Sequence, residues 1–148
     1  FLDNIVEETL LLVKESAAKK MLTIDDSGYK NYKVFMDVDM MNSVFRNLII
    51  NAIKFTPQNG KITISTEEKK NFVEVKIQDT GVGMSKELIE SLYKRLKVTS
   101  KPGTLGEKGV GIGLALSYEF IIKNGGDLKI DSKIGKGTSF VFTIPLNP

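Results

Sequence analysis

Short strands come in adjacent pairs along this sequence, and helices separate the pairs. Residues 2–20 read as an amphipathic helix: Leu2, Ile5, Val6, Val13 and Ala17 recur at helical spacing with Glu and Lys between them. Met21–Asp25 reads as a short strand. The polar turn Asp26–Asn31 leads to a second strand at Lys33–Val38, so a hairpin is expected. Asp39 is the expected N-cap of a helix to about Thr56, with Val44, Phe45, Leu48, Ile49, Ala52 and Phe55 as its apolar face. After Pro57 and the turn Asn59-Gly60, strands Lys61–Glu67 and Phe72–Asp79 flank the polar tip Glu68–Asn71. Ser85 opens a helix to about Lys97. Beyond the Ser-, Lys-, Pro- and Gly-containing stretch Thr99–Gly111, a helix from Gly113 to Asn124 stops at Gly125-Gly126. Strands Asp127–Ser132 and Thr138–Pro145 close the chain around Gly135-Lys136-Gly137. Strand pairs alternating with helices predict an α+β fold: a two-layer α/β sandwich, its mixed, mostly antiparallel sheet carrying helices on one face. A doubly wound parallel sheet would need strict alternation of single strands and helices.

The 148 residues suit one domain, 1–148. The absence of cysteine excludes disulfides and thiolate chemistry, and the absence of histidine excludes imidazole bases and His metal sites. No apolar run approaches the roughly 20 residues of a membrane span, and no signal peptide is visible. Lysines are spread along the chain, so the net charge of +3 implies no nucleic-acid footprint. The chain opens on Phe1 rather than Met, which points to a piece of a longer protein.

Three patterns carry chemistry. Asn47, Asn51 and Lys54 lie at i, i+4 and i+7, on one side of the second helix. Asn is a mediocre helix former, so two of them one turn apart need a reason. An amide oxygen suits hard Mg²⁺ and an ammonium suits phosphate; a solvent-facing polar stripe is the alternative. Asp79 shares strand parity with Val73, Val75 and Ile77 and therefore points toward the core. A carboxylate there needs donors, and the exocyclic amine of an adenine is one. Gly81 and Gly83 follow in Asp79-Thr-Gly-Val-Gly, where glycine permits positive φ and close approach of a ligand to backbone; a strand-ending Asp with a glycine turn is the alternative. Finally, five glycines fall between Gly103 and Leu114, directly before a helix whose N-terminal amides suit phosphate. Neither a P-loop nor a G-x-G-x-x-G dinucleotide motif is present.

Together these pieces resemble the GHKL ATPase superfamily, and within it the catalytic domain of sensor histidine kinases. Asn47-Leu-Ile-Ile-Asn51-Ala-Ile-Lys54-Phe-Thr-Pro resembles the N-box, and Asp79-Thr-Gly81-Val-Gly83-Met the first glycine box. Gly106-Glu-Lys108-Gly109-Val110-Gly111-Ile-Gly113-Leu114 resembles the second, and Gly135-Lys-Gly137-Thr138 the third. The resemblance implies ATP and Mg²⁺ as ligands. Asn51 would hold Mg²⁺, with Asn47 close by and Lys54 on phosphate. Asp79 would accept the adenine amine, with Thr138 fixing a bridging water. Lys108, Gly109, Val110, Gly111, Gly113 and Leu114 would wrap the triphosphate. The family's phenylalanine box is altered: Tyr93 and Leu96 stand where Phe is expected.

ATP-driven machines of the same superfamily, such as gyrase, Hsp90 and MutL, carry a water-activating Glu where this chain has Asn47. An amide has no useful basicity, so the resemblance implies transfer to a histidine nucleophile rather than hydrolysis. A serine kinase of the anti-sigma-factor type and a catalytically degenerate nucleotide-binding module are the alternatives. The implied partners are the dimerisation and phosphoacceptor domain of the same parent protein and, indirectly, a response regulator receiver domain. No contact with nucleic acid or, for this fragment, with membrane is implied. The fragment is expected to be cytoplasmic, with any membrane anchor belonging to the parent. Residues from about Lys97 to Lys108 are expected to form a mobile lid, from which Lys101 and Lys108, with Arg95, would close on the phosphates.

Overall fold

The computed structural model describes residues 1–98 and 111–147. Among them run α1 (Leu2–Lys19), β1 (Thr23–Gly28), α2 (Val38–Phe55), β2 (Lys61–Glu68), β3 (Phe72–Asp79), α3 (Lys86–Val98), α4 (Gly111–Lys123), β4 (Leu128–Lys133) and β5 (Gly137–Pro145). The strands form one sheet in the order β1-β2-β3-β5-β4. β1 runs parallel to β2, and every other pairing is antiparallel. The expected α+β sandwich is the one observed.

Strand alternation places the core. Ile64, Ile77, Phe140 and Ile130 lie opposite one another in a row across four strands, and all are buried. Above this row sit Phe45, Leu48, Ile49 and Ala52 of α2, also buried. The Phe45 and Phe142 rings meet edge to face with centroids 5.3 Å apart, a favourable arrangement of their quadrupoles. In α1 the buried stripe Leu2, Ile5, Val6, Val13 and Ala17 includes Thr9, whose hydroxyl donates to the Ile5 carbonyl at 2.8 Å. That local bond lets a polar side chain sit in an apolar stripe.

Two expectations at the amino-terminal end are corrected. Lys33–Val38 forms no strand, so the hairpin with Met21–Asp25 does not exist. β1 instead pairs in parallel with β2, reached through the crossover helix α2. The alternation of Tyr32, Val34 and Met36 is real, but it packs these side chains over the edge of the core. The segment's backbone is held by single bonds, Leu2 N–H to the Tyr32 carbonyl and Phe35 N–H to the Pro145 carbonyl. The N-cap of α2 is Asp37, not Asp39: the Asp37 carboxylate accepts Met40 N–H at 3.0 Å, and Asp39 lies in the first turn. Among the described residues no helix is long and apolar enough to cross a membrane.

Candidate functional site

The carboxyl-terminal half of α2, the segment after β3, the start of α4 and the β4–β5 turn converge. Asp79 ends β3 with its side chain on the helix-covered face, as its parity with Val73, Val75 and Ile77 requires, and it is only 3% exposed. One carboxylate oxygen, Oδ1, accepts N–H groups from Gly81 at 2.8 Å and Thr138 at 3.1 Å. Oδ2 makes no hydrogen bond among the described residues, and no cation pairs with it there. Burial pushes the carboxyl above its ordinary value of 3.8, and the two backbone donors offset this only in part. A buried carboxylate with an oxygen left over is a site for a hydrogen-bond donor.

The glycines after Asp79 have a structural reason of their own. A Cβ on Gly81 would lie 2.5 Å from the Phe55 carbonyl oxygen, and one on Gly83, whose φ is +73°, would lie 1.9 Å from that of Lys133. Val82 N–H bonds the Phe55 carbonyl, and Gly135 N–H bonds that of Val82. Backbone therefore packs directly on backbone here, joining the end of α2 to the segment 80–84 and to the β4–β5 turn.

One turn before Phe55 on α2 lies Asn51. Its amide nitrogen is buried with no hydrogen-bond partner among the described residues. Asn47, one turn earlier, donates weakly to the Gly113 carbonyl at 3.4 Å and to Ser117 Oγ at 3.5 Å. Lys54 is exposed, its ammonium 5.7 Å from the centroid of the Phe55 ring. The last carbonyls of α2 are occupied by a different cation: Lys20 Nζ donates to Ile53 O at 2.7 Å and Lys54 O at 3.2 Å. Lys54 is thus not needed as a cap for its own helix. Among the described residues no three Asp or Glu side chains gather as a metal cage. A divalent cation here would take an amide oxygen from the chain and the rest of its oxygens from ligand and water, as Mg²⁺ commonly does.

The structure brings Asn47, Asn51, Lys54, Asp79, Gly81, Gly83, Gly113 and Thr138 to this one region. Gly111 opens α4, two residues before the expected start, and Leu114 is fully buried in the core. Lys108, Gly109 and Val110, and the expected lid beyond Val98, lie outside the described residues. At the altered phenylalanine box, Leu96 is buried, and Tyr93 is half-buried with its hydroxyl accepting Ile130 N–H at 2.6 Å.

Sequence reasoning missed Ser132. Its hydroxyl accepts Met84 N–H at 2.8 Å, donates to the Gly137 carbonyl at 2.9 Å, and lies 2.8 Å from Thr138 Oγ1. It joins the two glycine-rich segments around Asp79. The only sequence signal was its place opposite Thr138 in the last strand pair.

Comparison with known proteins identifies the family and the fold. Residues 36–148 match the family described as histidine kinase-, DNA gyrase B-, and HSP90-like ATPase. The chain is 30% identical over 144 residues to the sensor histidine kinase WalK of Bacillus subtilis, covering 96% of this chain and 23% of WalK. It spans less than a quarter of the length of the curated relatives it matches, WalK among them. Among solved structures, the catalytic domain of the histidine kinase ThkA superposes with a TM-score of 0.82 at 28% identity, covering 99% of this chain and 95% of that one. ThkA in complex with the response regulator TrrA shares the fold, with a TM-score of 0.74 at 24% identity over 98% of this chain and 40% of that one.

Proposed function

Because the chain belongs to the histidine kinase-, DNA gyrase B-, and HSP90-like ATPase family, and within it to the catalytic domains of sensor histidine kinases, we propose that residues 1–148 act as one domain. That domain binds Mg-ATP and transfers its γ-phosphoryl group to a histidine of a separate phosphoacceptor domain. The observation that carries this reading is the buried carboxylate of Asp79, whose Oδ2 has no hydrogen-bond partner among the described residues and so awaits a donor. Asp79 suits the adenine amine. Asn51 suits the metal through its amide oxygen, and Lys54, with its ammonium unclaimed by its own helix end, suits phosphate. Bound Mg²⁺ supplies charge neutralisation on the phosphate oxygens.

In the transfer, an imidazole nitrogen forms a bond to the γ-phosphorus as the bond to the bridging oxygen breaks, and ADP leaves. This chain has no histidine, so the nucleophile comes from a partner. Asn47 has no basicity with which to activate water, and its amide already leans on Gly113 and Ser117. The chain's own work is positioning and electrostatics. Response regulators enter only afterwards, as acceptors from the phosphohistidine.

Calorimetry with a non-hydrolysable ATP analogue, with and without Mg²⁺, tests the binding. Asn51→Ala is expected to remove most of the Mg²⁺-dependent part. No binding at millimolar nucleotide would overturn the reading. Mixing the chain with the separately expressed phosphoacceptor domain and ATP tests the transfer: acid-labile, base-stable phosphate on the partner is expected. Phosphate on Ser or Thr would assign the chain to the serine kinases, and brisk hydrolysis without a partner to the ATPase machines.

A further inference from the structure

Ser132 lies outside every motif assigned above, yet its hydroxyl is saturated. A hydroxyl has one proton and two lone pairs. The Gly137 carbonyl can only accept, so the 2.9 Å contact to it takes the Ser132 proton. Met84 N–H fills one lone pair at 2.8 Å. The remaining neighbour is Thr138 Oγ1 at 2.8 Å, which must then be the donor. The reverse assignment, with Ser132 donating to Thr138, forfeits the Gly137 bond and leaves the Thr138 proton with no acceptor among the described residues. Three bonds are made one way and two the other. The arrangement with the additional bond prevails, since a buried donor left unmet is costly.

The Thr138 proton is therefore turned toward Ser132, and its lone pairs are left for a ligand. Thr138 is also joined to Asp79, whose Oδ1 accepts its N–H at 3.1 Å. The wall formed by Asp79 and Thr138 thus offers oxygen lone pairs only.

We propose that Ser132 is a positioning residue that sets the hydrogen-bond polarity of this wall, so that it selects a purine bearing an amine at C6 over one bearing a carbonyl. The proposal rests on the nucleotide-binding reading above. A C6 amine offers two hydrogens, one for each acceptor, directly or through water. A C6 carbonyl sets acceptor against acceptor. With Ser132 removed, the Thr138 hydroxyl is free to rotate and donate.

The test is the ratio of affinities for ATP and inosine triphosphate, in which the C6 amine is replaced by a carbonyl and N1 carries a hydrogen, measured with Mg²⁺ by calorimetry. The wild type is expected to prefer ATP, and Ser132→Ala to cut that preference by about fivefold, the worth of one hydrogen bond. Ser132→Cys keeps the volume but offers a weak acceptor, so the ratio falls in the same direction and the measurement survives if the Ala variant does not fold. In a Thr138→Val background, Ser132→Ala should leave the ratio unchanged, because its effect runs through the Thr138 hydroxyl. Parallel loss of both affinities at constant ratio in the two Ser132 variants would overturn the proposal and leave Ser132 a purely structural bridge. A wild type that binds both nucleotides equally would overturn the role of the Asp79–Thr138 wall. A wild type that binds neither would overturn the nucleotide reading itself.

Discussion

The hydroxyl of Tyr93 in α3 accepts the main-chain N–H of Ile130 in β4 at 2.6 Å. β4 is an edge strand of the sheet, and an edge presents main-chain groups with no neighbouring strand to pair with. Tyr93 supplies a partner for one of them, which a phenylalanine at this position could not do. Tyr93→Phe keeps the ring and strands the N–H of Ile130, a residue only 7% exposed. A loss of about 1–3 kcal/mol is expected in denaturant unfolding, with faster hydrogen exchange at the Ile130 amide than at its neighbours in β4. An unchanged unfolding midpoint would show that water replaces the hydroxyl at no cost.

The buried carboxyl of Asp79 costs stability. Burial raises its pKa above 3.8 in the folded chain, so the folded state holds this proton more tightly than the unfolded state does. The group's cost to stability is absent below the ordinary carboxylate range, grows as pH rises from there through the raised folded value, and is constant above it. Asp79→Asn has no such titration, and its amide oxygen still accepts from Gly81 and Thr138. Relative to wild type, the variant is expected to gain stability over that window and to keep the gain at neutrality, while binding ATP more weakly. Urea unfolding across pH, paired with ATP calorimetry, checks both. A variant less stable than wild type at neutral pH would contradict the account.

Gly83 and Gly113 should respond oppositely to alanine. At Gly83 the new methyl would lie 1.9 Å from a carbonyl oxygen on a backbone with φ of +73°. More than about 2 kcal/mol of stability should be lost. At Gly113, within α4, the nearest atom to a new methyl is Asn47 Cγ at 3.6 Å, an ordinary contact. Alanine there is expected to preserve or raise stability by up to ~1 kcal/mol through helix propensity. Thermal unfolding of the pair decides.

Lys20 caps a helix to which it does not belong. Its ammonium donates to two carbonyls in the last turn of α2, where a positive charge also meets the negative end of the helix dipole. Lys20→Met retains the stem and removes the charge. A loss of about 1 kcal/mol is expected, largely restored in Lys20→Arg. Equal loss in both variants would place the effect in packing instead.

Much of the fold was legible in local pattern. The parity of Val73, Val75, Ile77 and Asp79 holds in the structure, as does the apolar face of α1 and, except for the partly exposed Phe55, that of α2, because side-chain direction follows from the repeat of a helix or strand alone. The pattern at Tyr32, Val34 and Met36 was equally clear, yet no strand formed. Alternation says which side chains turn inward. It does not say whether a free sheet edge lies within reach of the backbone. The N-cap was misplaced by two residues for a similar reason, since Asp37 and Asp39 are both competent and only the path of the chain shows which one reaches Met40 N–H.

By itself, the sequence determined the element order from α2 onward, most of the inward faces and the clustering of Asn, Asp and Gly at the candidate site, since all are properties of neighbours along the chain. Only the tertiary structure decided that β1 lies parallel to β2, that Lys20 ends α2, that Tyr93 holds the β4 edge and that Ser132 takes the Thr138 proton. Most of these pairings join residues tens of positions apart. Even the nearer pair, Ser132 and Thr138, owes its proton assignment to the Gly137 carbonyl, which the β4–β5 turn brings against the Ser132 hydroxyl. A hydrogen bond depends on distance and direction between two groups in space, and local periodicity carries neither once the chain has turned back on itself.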